Sequence, residues 1–429
     1  MRNKIWTCFC SILLLIGMNS FVRAQDAEVK PFVGTAEEME LIGIIERINE
    51  QQVSLFAELE KITDQEENLR YYLENEPGHK TAPLLFEFEA KHRGTIVGLM
   101  ALRQLSLMGV GGGPVNNPRD LVRRKALKYL EFYAEFDELN EIVRYLTSGN
   151  YEPETEEALR SVIDAKNATP LCRQYAELTL ARWYLDGAEL RAIWTDYLDR
   201  EARSSEANSA RRVKSISEKM KSLPSESVTK DWPDRARDIL QSIVESKSEL
   251  RQIAFEFSDP NRCILTIDRE RTKTMPTLVS LAEGILFKED HLKPTRVAPA
   301  LDLELMSGEK WTTEGNLGKV IVIQFSFKGC GPCEAMYPDL IEMQKEFGDK
   351  ISILGIMTDE KRETTAESIA TGVLTWNVHW DGHRGPIATQ WAVQGFPTVY
   401  VMDRDGRVAV ADSLHGEALR KKVKELVEQ

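Results

Sequence analysis

The sequence predicts an α + α/β chain, with a long and largely helical N-terminal region followed by a smaller α/β domain at the C-terminus. Three observations carry this. Apolar residues recur at helical spacing over most of residues 36–198. The run from Lys319 to Phe325 is too continuously apolar for a half-exposed strand and predicts a central, buried one. A pair of cysteines three apart then stands between that strand and the next helical pattern. At 429 residues the chain is too long for one ordinary core. With 42% hydrophobic and 29% charged residues it has enough apolar surface to bury, which excludes wholesale disorder. Its net charge of −13, most of it within residues 25–293, repels phosphate backbones and anionic lipid, so no nucleic-acid role is expected.

Residues 1–24 predict a secretory signal peptide. Arg2 and Lys4 precede an apolar stretch, Ile5 to Met18, and Val22-Arg23-Ala24 places small residues where a signal peptidase needs them. An uncleaved anchor is the competing reading, but about 14 apolar-leaning residues fall short of the ~20 that span a bilayer. The expectation is cleavage after Ala24 and a mature chain outside the cytoplasm, in the periplasm of a bacterium. The mature chain keeps Cys172, Cys263, Cys330 and Cys333. Four cysteines in a chain of this size do not make a disulfide-stapled scaffold.

Residues 25–293 are predicted to be helical. Met39, Ile42, Ile45, Ile48 and Leu55 form a stripe that Leu59, Ile62 and Leu69 extend as far as Pro77-Gly78. Further helical units are expected at Leu84–Met108, Leu121–Leu146, Glu154–Lys166, Pro170–Leu185, Trp232–Phe257 and Thr277–Phe287. Residues 199–234 are either one exposed helix or a linker. Successive helices with short breaks suggest a solenoid-like stack, although no fixed repeat period is present. The glycine-rich segment 109–114 lacks the Gly-Lys-Ser/Thr of a phosphate loop and is a connector. Tyr129, Phe132, Tyr133 and Phe136 fit a core better than a ligand cage. Cys172 and Cys263 are either buried free thiols or a disulfide. No catalytic residue is expected in this half.

The chemistry is expected in residues 294–429. Strand, Cys330-Gly331-Pro332-Cys333 and helix follow one another, which puts Cys330 at a helix N-terminus where unpaired N–H groups favour thiolate over thiol. The thiolate attacks a disulfide, and Cys333, one turn on and more buried, resolves the mixed disulfide. A structural zinc site would need a second Cys or His pair, so no metal is expected and the dithiol is its own redox centre. Downstream, Gly395-Phe396-Pro397-Thr398 precedes the strand Val399–Met402, and a proline so placed suits a cis bond. The turn Asp403–Gly406, a strand Arg407–Ala411 and a helix Glu417–Val427 complete the domain.

These features resemble the thioredoxin fold: the CGPC at 330–333, Pro338 five residues after the second cysteine, and Gly-Phe-Pro-Thr at 395–398 with its following hairpin. Ala298-Pro299, the turn at Ser307-Gly308, and a stretch from Ile351 to Asp381 long enough for an extra strand and helix are similar to the TlpA-type redoxins in particular. The resemblance covers about 135 residues. It implies that Cys330 attacks, that cis-Pro397 lies against the disulfide, and that the backbone of Phe396 pairs with an extended substrate; Gly331 and Pro332 complete the substrate-facing loop. Three positions depart from the family pattern. Gly329 replaces a tryptophan, Gln324 replaces the buried aspartate that moves the proton of the second cysteine, and Met336 replaces the glutamate of cytochrome-maturation relatives.

The function expected is a thiol–disulfide oxidoreductase acting on protein thiols or disulfides, as a reductant, with a membrane-linked electron donor. Two alternatives stand beside it. One is an interaction protein whose helical region docks a partner while the redox domain is secondary. The other is a thiol peroxidase, which would want Thr or Ser where Phe327 stands.

Overall fold

The computed structural model describes residues 32–108, 117–147, 151–202, 209–411 and 414–429. The signal segment, the glycine-rich connector and Ser148–Asn150 lie outside the described residues. Two units are distinct: residues up to Ile243 with Leu250–Met275, and Pro276–Gln429 with Val244–Glu249. No helix among the described residues is long and apolar enough to cross a membrane.

The first unit is mostly helical, with shorter pieces than the apolar stripes suggest. Thr35 opens the helix Ala36–Leu59 through a capping box, its hydroxyl accepting from Glu38 N at 3.2 Å while Glu38 accepts from Thr35 N at 2.7 Å. Leu41, Ile42, Ile45, Leu55 and Leu59 are buried, whereas Met39 is exposed. Asp64 then caps Gln65–Asn75. Pro77 closes one helix and opens the next, Pro77–Lys91, because its missing N–H is harmless in a first turn. The expected unit Leu84–Met108 is two helices, Pro77–Lys91 and Ile96–Ser106, separated at Gly94 where φ is +76°. Leu121–Leu146 likewise divides into Pro118–Leu127, two 3₁₀ turns and Asn140–Val143. Glu154–Asp164 is as expected, but the helix from Pro170 runs on to Ala202. Within 199–234 there are helices Ser209–Ser222 and Glu226–Thr229.

The last segment of this unit corrects the sequence reading. Trp232–Ser246 is helical, but Phe255–Phe257 is a strand, β1, paired antiparallel with Leu265–Ile267, β2. Three-residue strands are too short to show a period, so the aromatic positions passed as the end of a helix. The Arg103 guanidinium lies 5.0 Å from the Phe257 ring centre and donates to Glu141, which Arg144 also holds at 2.6 Å.

A second buried carboxylate explains the aromatic cluster. Glu89 is fully buried and accepts two bonds from Arg93, at 2.9 and 2.8 Å, and one from the Tyr133 hydroxyl at 2.8 Å. Arg93 in turn lies over the rings of Tyr129 and Phe132. The cluster is therefore occupied by the protein's own cation, and Tyr133 is core.

The second unit begins with helix α1, Leu278–His291, and a hairpin of β3, Asp302–Glu304, and β4, Lys310–Thr312. Its centre is β5, Val320–Ser326, buried at every position. Next come α2, Gly331–Glu334, α3, Tyr337–Phe347, and β6, Ile351–Met357. The extra pair expected between Ile351 and Asp381 is α4, Arg362–Ala370, and β7, Asn377–Trp380. Then follow α5, Pro386–Gln390, β8, Thr398–Met402, β9, Val408–Ala411, and α6, Gly416–Glu428. The sheet order is β7-β6-β5-β8-β9, with β6 and β7 parallel to β5 and β8 antiparallel to it. This is the thioredoxin fold.

Successive side chains of β5 serve opposite faces. Val320 and Val322 pack with Leu340 and Met343 of α3 and Leu419 and Val423 of α6. Ile321, Ile323 and Phe325 pack on the other side with Trp391, Tyr400 and Trp311. The chemistry therefore begins at the end of a strand with no exposed position.

Removing the Glu89 carboxylate leaves Arg93 and the Tyr133 hydroxyl without their shared partner. Glu89→Ala is expected to lower the stability of the helical unit by about 3 kcal/mol, read by urea denaturation of the full chain, with Glu89→Gln less damaging. Equal stability of the alanine variant and wild type would refute this account of the cluster.

Candidate active site

β5 ends at Ser326, and a tight turn carries the chain from Phe327 to Cys330. Cys330 N donates to the Phe327 carbonyl at 3.2 Å, and Gly329 has φ +88°, the value the third residue of a type II turn requires. This gives a reason for glycine where the family pattern has tryptophan. The N–H groups of the turn's two central residues each meet a carboxylate. Lys328 N donates to Asp359 Oδ1 at 2.8 Å, and Gly329 N donates to Glu334 Oε1 at 2.8 Å.

Cys330 and Cys333 are joined by a disulfide, with their Cα atoms 5.2 Å apart. Cys330 is the N-cap of α2, and Cys333 N donates to its sulfur at 3.3 Å. Cys330 keeps 6% of its surface and Cys333 none, so only the first residue of the pair is open to the outside. Gly331 and Pro332 are exposed beside it. The helix expected from Glu334 to Phe347 is interrupted. α2 stops at Glu334, and α3 starts at Tyr337 with Pro338 in its first turn.

The Phe396–Pro397 bond is cis. Both residues are half-buried, and neither the N–H nor the carbonyl of Phe396 meets a hydrogen-bond partner among the described residues. The Phe396 ring meets Phe327 edge to face, with centroids 5.2 Å apart. Phe327 thus holds an aromatic contact at the position where a peroxidase would want a hydroxyl.

The two replaced carboxylate positions touch each other. The Gln324 side-chain amide donates to the Met336 sulfur at 3.8 Å, with both residues buried. The nearby Tyr337 hydroxyl is shared with Ser326 at 2.8 Å, and burial pushes the phenol up from its ordinary range. The Lys328 ammonium points to the Glu367 carboxylate at 2.7 Å, both side chains being exposed. The contact of Glu334 with Gly329 N had no signal in the sequence. Asp359 had no local signal, lying 31 residues from Lys328.

The other two cysteines are free and buried. Cys172 donates to the Phe136 carbonyl at 3.2 Å, and burial pushes its thiol up to about 12. Burial and the Asp259 carboxylate push the Cys263 thiol up as well, with its sulfur 3.1 Å from Asp259 Oδ1. His379 has Nδ1 against the Glu304 carbonyl at 2.8 Å. Among the described residues no group of three or more His, Cys, Asp or Glu is placed to hold a metal.

A family profile described as thioredoxin-like matches residues 318–408. The chain is 29% identical over 138 residues to the thioredoxin-like protein YneN of Bacillus subtilis, covering 32% of this chain and 78% of that protein. It is 26% identical over 134 residues to the thiol:disulfide interchange protein HelX of Rhodobacter capsulatus, covering 30% of this chain and 74% of that protein. Among solved structures, the thioredoxin domain of a thiol-disulfide oxidoreductase from Bacteroides vulgatus aligns with 26% identity and a TM-score of 0.29, covering 32% of this chain and 98% of that one. The C-terminal unit is a thioredoxin-like oxidoreductase domain.

Two outcomes follow from the site. A Cβ at Gly329 would meet nothing within 4 Å, so Gly329→Ala carries only the cost of positive φ, about 1–2 kcal/mol; chemical denaturation checks it, and no loss of stability would contradict the turn. In the oxidised, folded chain at pH 8, Cys172 and Cys263 are expected to resist a thiol reagent for minutes and to react on unfolding, because raised thiols carry little thiolate. Rapid native labelling of either would count against their burial.

Proposed function

We propose that this thioredoxin-like domain, a TlpA-type redoxin unit, reduces disulfides of protein substrates outside the cytoplasm, with Cys330 as nucleophile and Cys333 as resolving thiol. The observation that carries the assignment of roles is the unequal burial of the two cysteines, Cys330 6% exposed and Cys333 not at all, together with the Cys333 N–H aimed at the Cys330 sulfur. That hydrogen bond favours the thiolate form of Cys330 once the disulfide is reduced.

In the reaction, the Cys330 thiolate attacks a substrate sulfur. A mixed disulfide forms and the other substrate sulfur leaves as thiolate. Cys333 gives up its proton and attacks the Cys330 sulfur, releasing the second substrate thiolate. The substrate has gained two electrons, and the thiols take up protons from water. The chain is left as its Cys330–Cys333 disulfide, and a membrane-linked dithiol donor returns the two electrons. Phe396, with a free backbone edge beside cis-Pro397, receives an extended substrate segment as an added strand. Gly331 and Pro332 flank the attacking sulfur.

The reductant direction rests on the Gly-Pro between the cysteines, as in reducing thioredoxins. Placement outside the cytoplasm rests on the basic start, apolar stretch and Val22-Arg23-Ala24 of the first 24 residues. The helical region, residues 25–293, positions the protein partner, and residues 294–429 perform the exchange.

Cys330→Ser is expected to abolish reduction of an insulin disulfide, whereas Cys333→Ser accumulates mixed disulfides seen on non-reducing gels. Retained turnover in the first variant would sink the assignment. The couple is expected to equilibrate near ~−270 mV against a dithiothreitol ladder, and a value near ~−120 mV would reverse the direction.

A further inference from the structure

We propose that Asp359 is a positioning residue for Cys330, through which the inserted segment between β6 and β7 holds the turn that delivers the attacking sulfur. The inference deepens the reading above and rests on Cys330 being the nucleophile.

Asp359 follows β6 and is 6% exposed. Each of its carboxylate oxygens has its own donor. Oδ1 accepts from Lys328 N at 2.8 Å, and Oδ2 accepts from the Thr365 hydroxyl of α4 at 2.6 Å. Its main-chain carbonyl accepts from Trp380 Nε1, at the end of β7, at 2.9 Å. One buried residue therefore joins the turn after β5 to both elements of the insert.

The tie acts on the sulfur through a short path. Lys328 is the second residue of the turn whose fourth is Cys330, and the Cys330 N–H to Phe327 carbonyl bond closes that turn. The turn's orientation sets where the Cys330 sulfur lies relative to Cys333 N, now 3.3 Å away. A turn free to rock would lengthen that contact and weaken the hydrogen bond that steadies the thiolate.

A second contact joins the turn to α4, but it is weaker. The Lys328–Glu367 pair has side chains 45% and 65% exposed, and water screens such pairs to little net value. The bond from Lys328 N reaches a buried carboxylate, where charge-assisted bonds are strong. Glu334 steadies the next N–H from the exposed side of α2, so Asp359 is the inner of two holds on the same turn.

The test separates the tie from the charge. Asp359→Asn removes the charge but keeps a carbonyl oxygen for Lys328 N–H and an amide N–H for the Thr365 oxygen. Asp359→Ala removes charge and tie together. In the reduced full-length protein, the rate of Cys330 alkylation by iodoacetamide is followed against pH. The ionisable groups ranged around the turn, Lys328, Glu334, Tyr337 and Glu367, are the same in both variants. The expected result is alkylation at pH 7 about tenfold slower in Asp359→Ala than in Asp359→Asn, with the midpoint about one pH unit higher. Equal rates and midpoints in the two variants would overturn the proposal, because a purely structural aspartate would lower thermal stability without separating them.

If Asp359→Ala does not fold, Thr365→Val decides. It removes only the outer anchor, and a two- to threefold slowing relative to wild type supports the tie, while an unchanged rate refutes it. The probe needs no protein substrate. A wild-type chain that alkylates normally but reduces no disulfide would sink the proposed function and leave this result standing.

Discussion

A strand buried on both faces has to end in a sulfur that can be reached, and that requirement organises the C-terminal unit. β5 leaves no position in water, from Val320 to Ser326. The apolar area taken up by its side chains on the two faces anchors the strand. The chain can then leave the core only at one end, through a turn short enough to bring Cys330 to the surface within four residues. The fold meets this with a glycine at positive φ and with carboxylates on the N–H groups that the turn leaves over. Cys330 is thus placed where that turn meets the first turn of α2.

The proton chemistry of the second cysteine is the point at which this site differs from the pattern it resembles. Where that pattern puts ionisable carboxyls, Gln324 and Met336 are in contact with each other in the core. An amide against a thioether neither accepts nor delivers a proton near neutral pH. Packing there favours stability over acid–base assistance. The acidic groups that do stand near the dithiol, Glu334 and Asp359, are engaged by the backbone of the turn.

The helical unit follows a different logic. Two of its buried carboxylates are paired with arginines, Glu89 with Arg93 and Glu141 with Arg103 and Arg144. Arg103 ties its helix to Glu141 across 38 residues, whereas the Arg93 and Arg144 pairs are local, and each carboxylate left alone in the interior would be costly. Arg93 and Arg103 also cover aromatic rings, Tyr129 and Phe132 under the first and Phe257 under the second.

What the sequence determined by itself is what depends on residues close together in the chain. Continuous apolarity identified β5, and the spacing of Cys330 and Cys333 after it identified the redox pair. The proline before β8 marked Pro397, and the helices expected from Pro170 and Thr277 do start there, at Pro170 and just after Thr277. Helix ends were less legible. A single apolar stripe continues across breaks such as Gly94, and strands as short as Phe255–Phe257 have no period to detect. The tertiary structure alone decided which distant groups meet: Gln324 with Met336, Phe327 with Phe396, and Lys328 with Asp359. Local spacing fixes the backbone's preferences, but a hydrogen bond between residues 31 apart exists only once the sheet has brought the ends of β5 and β6 side by side.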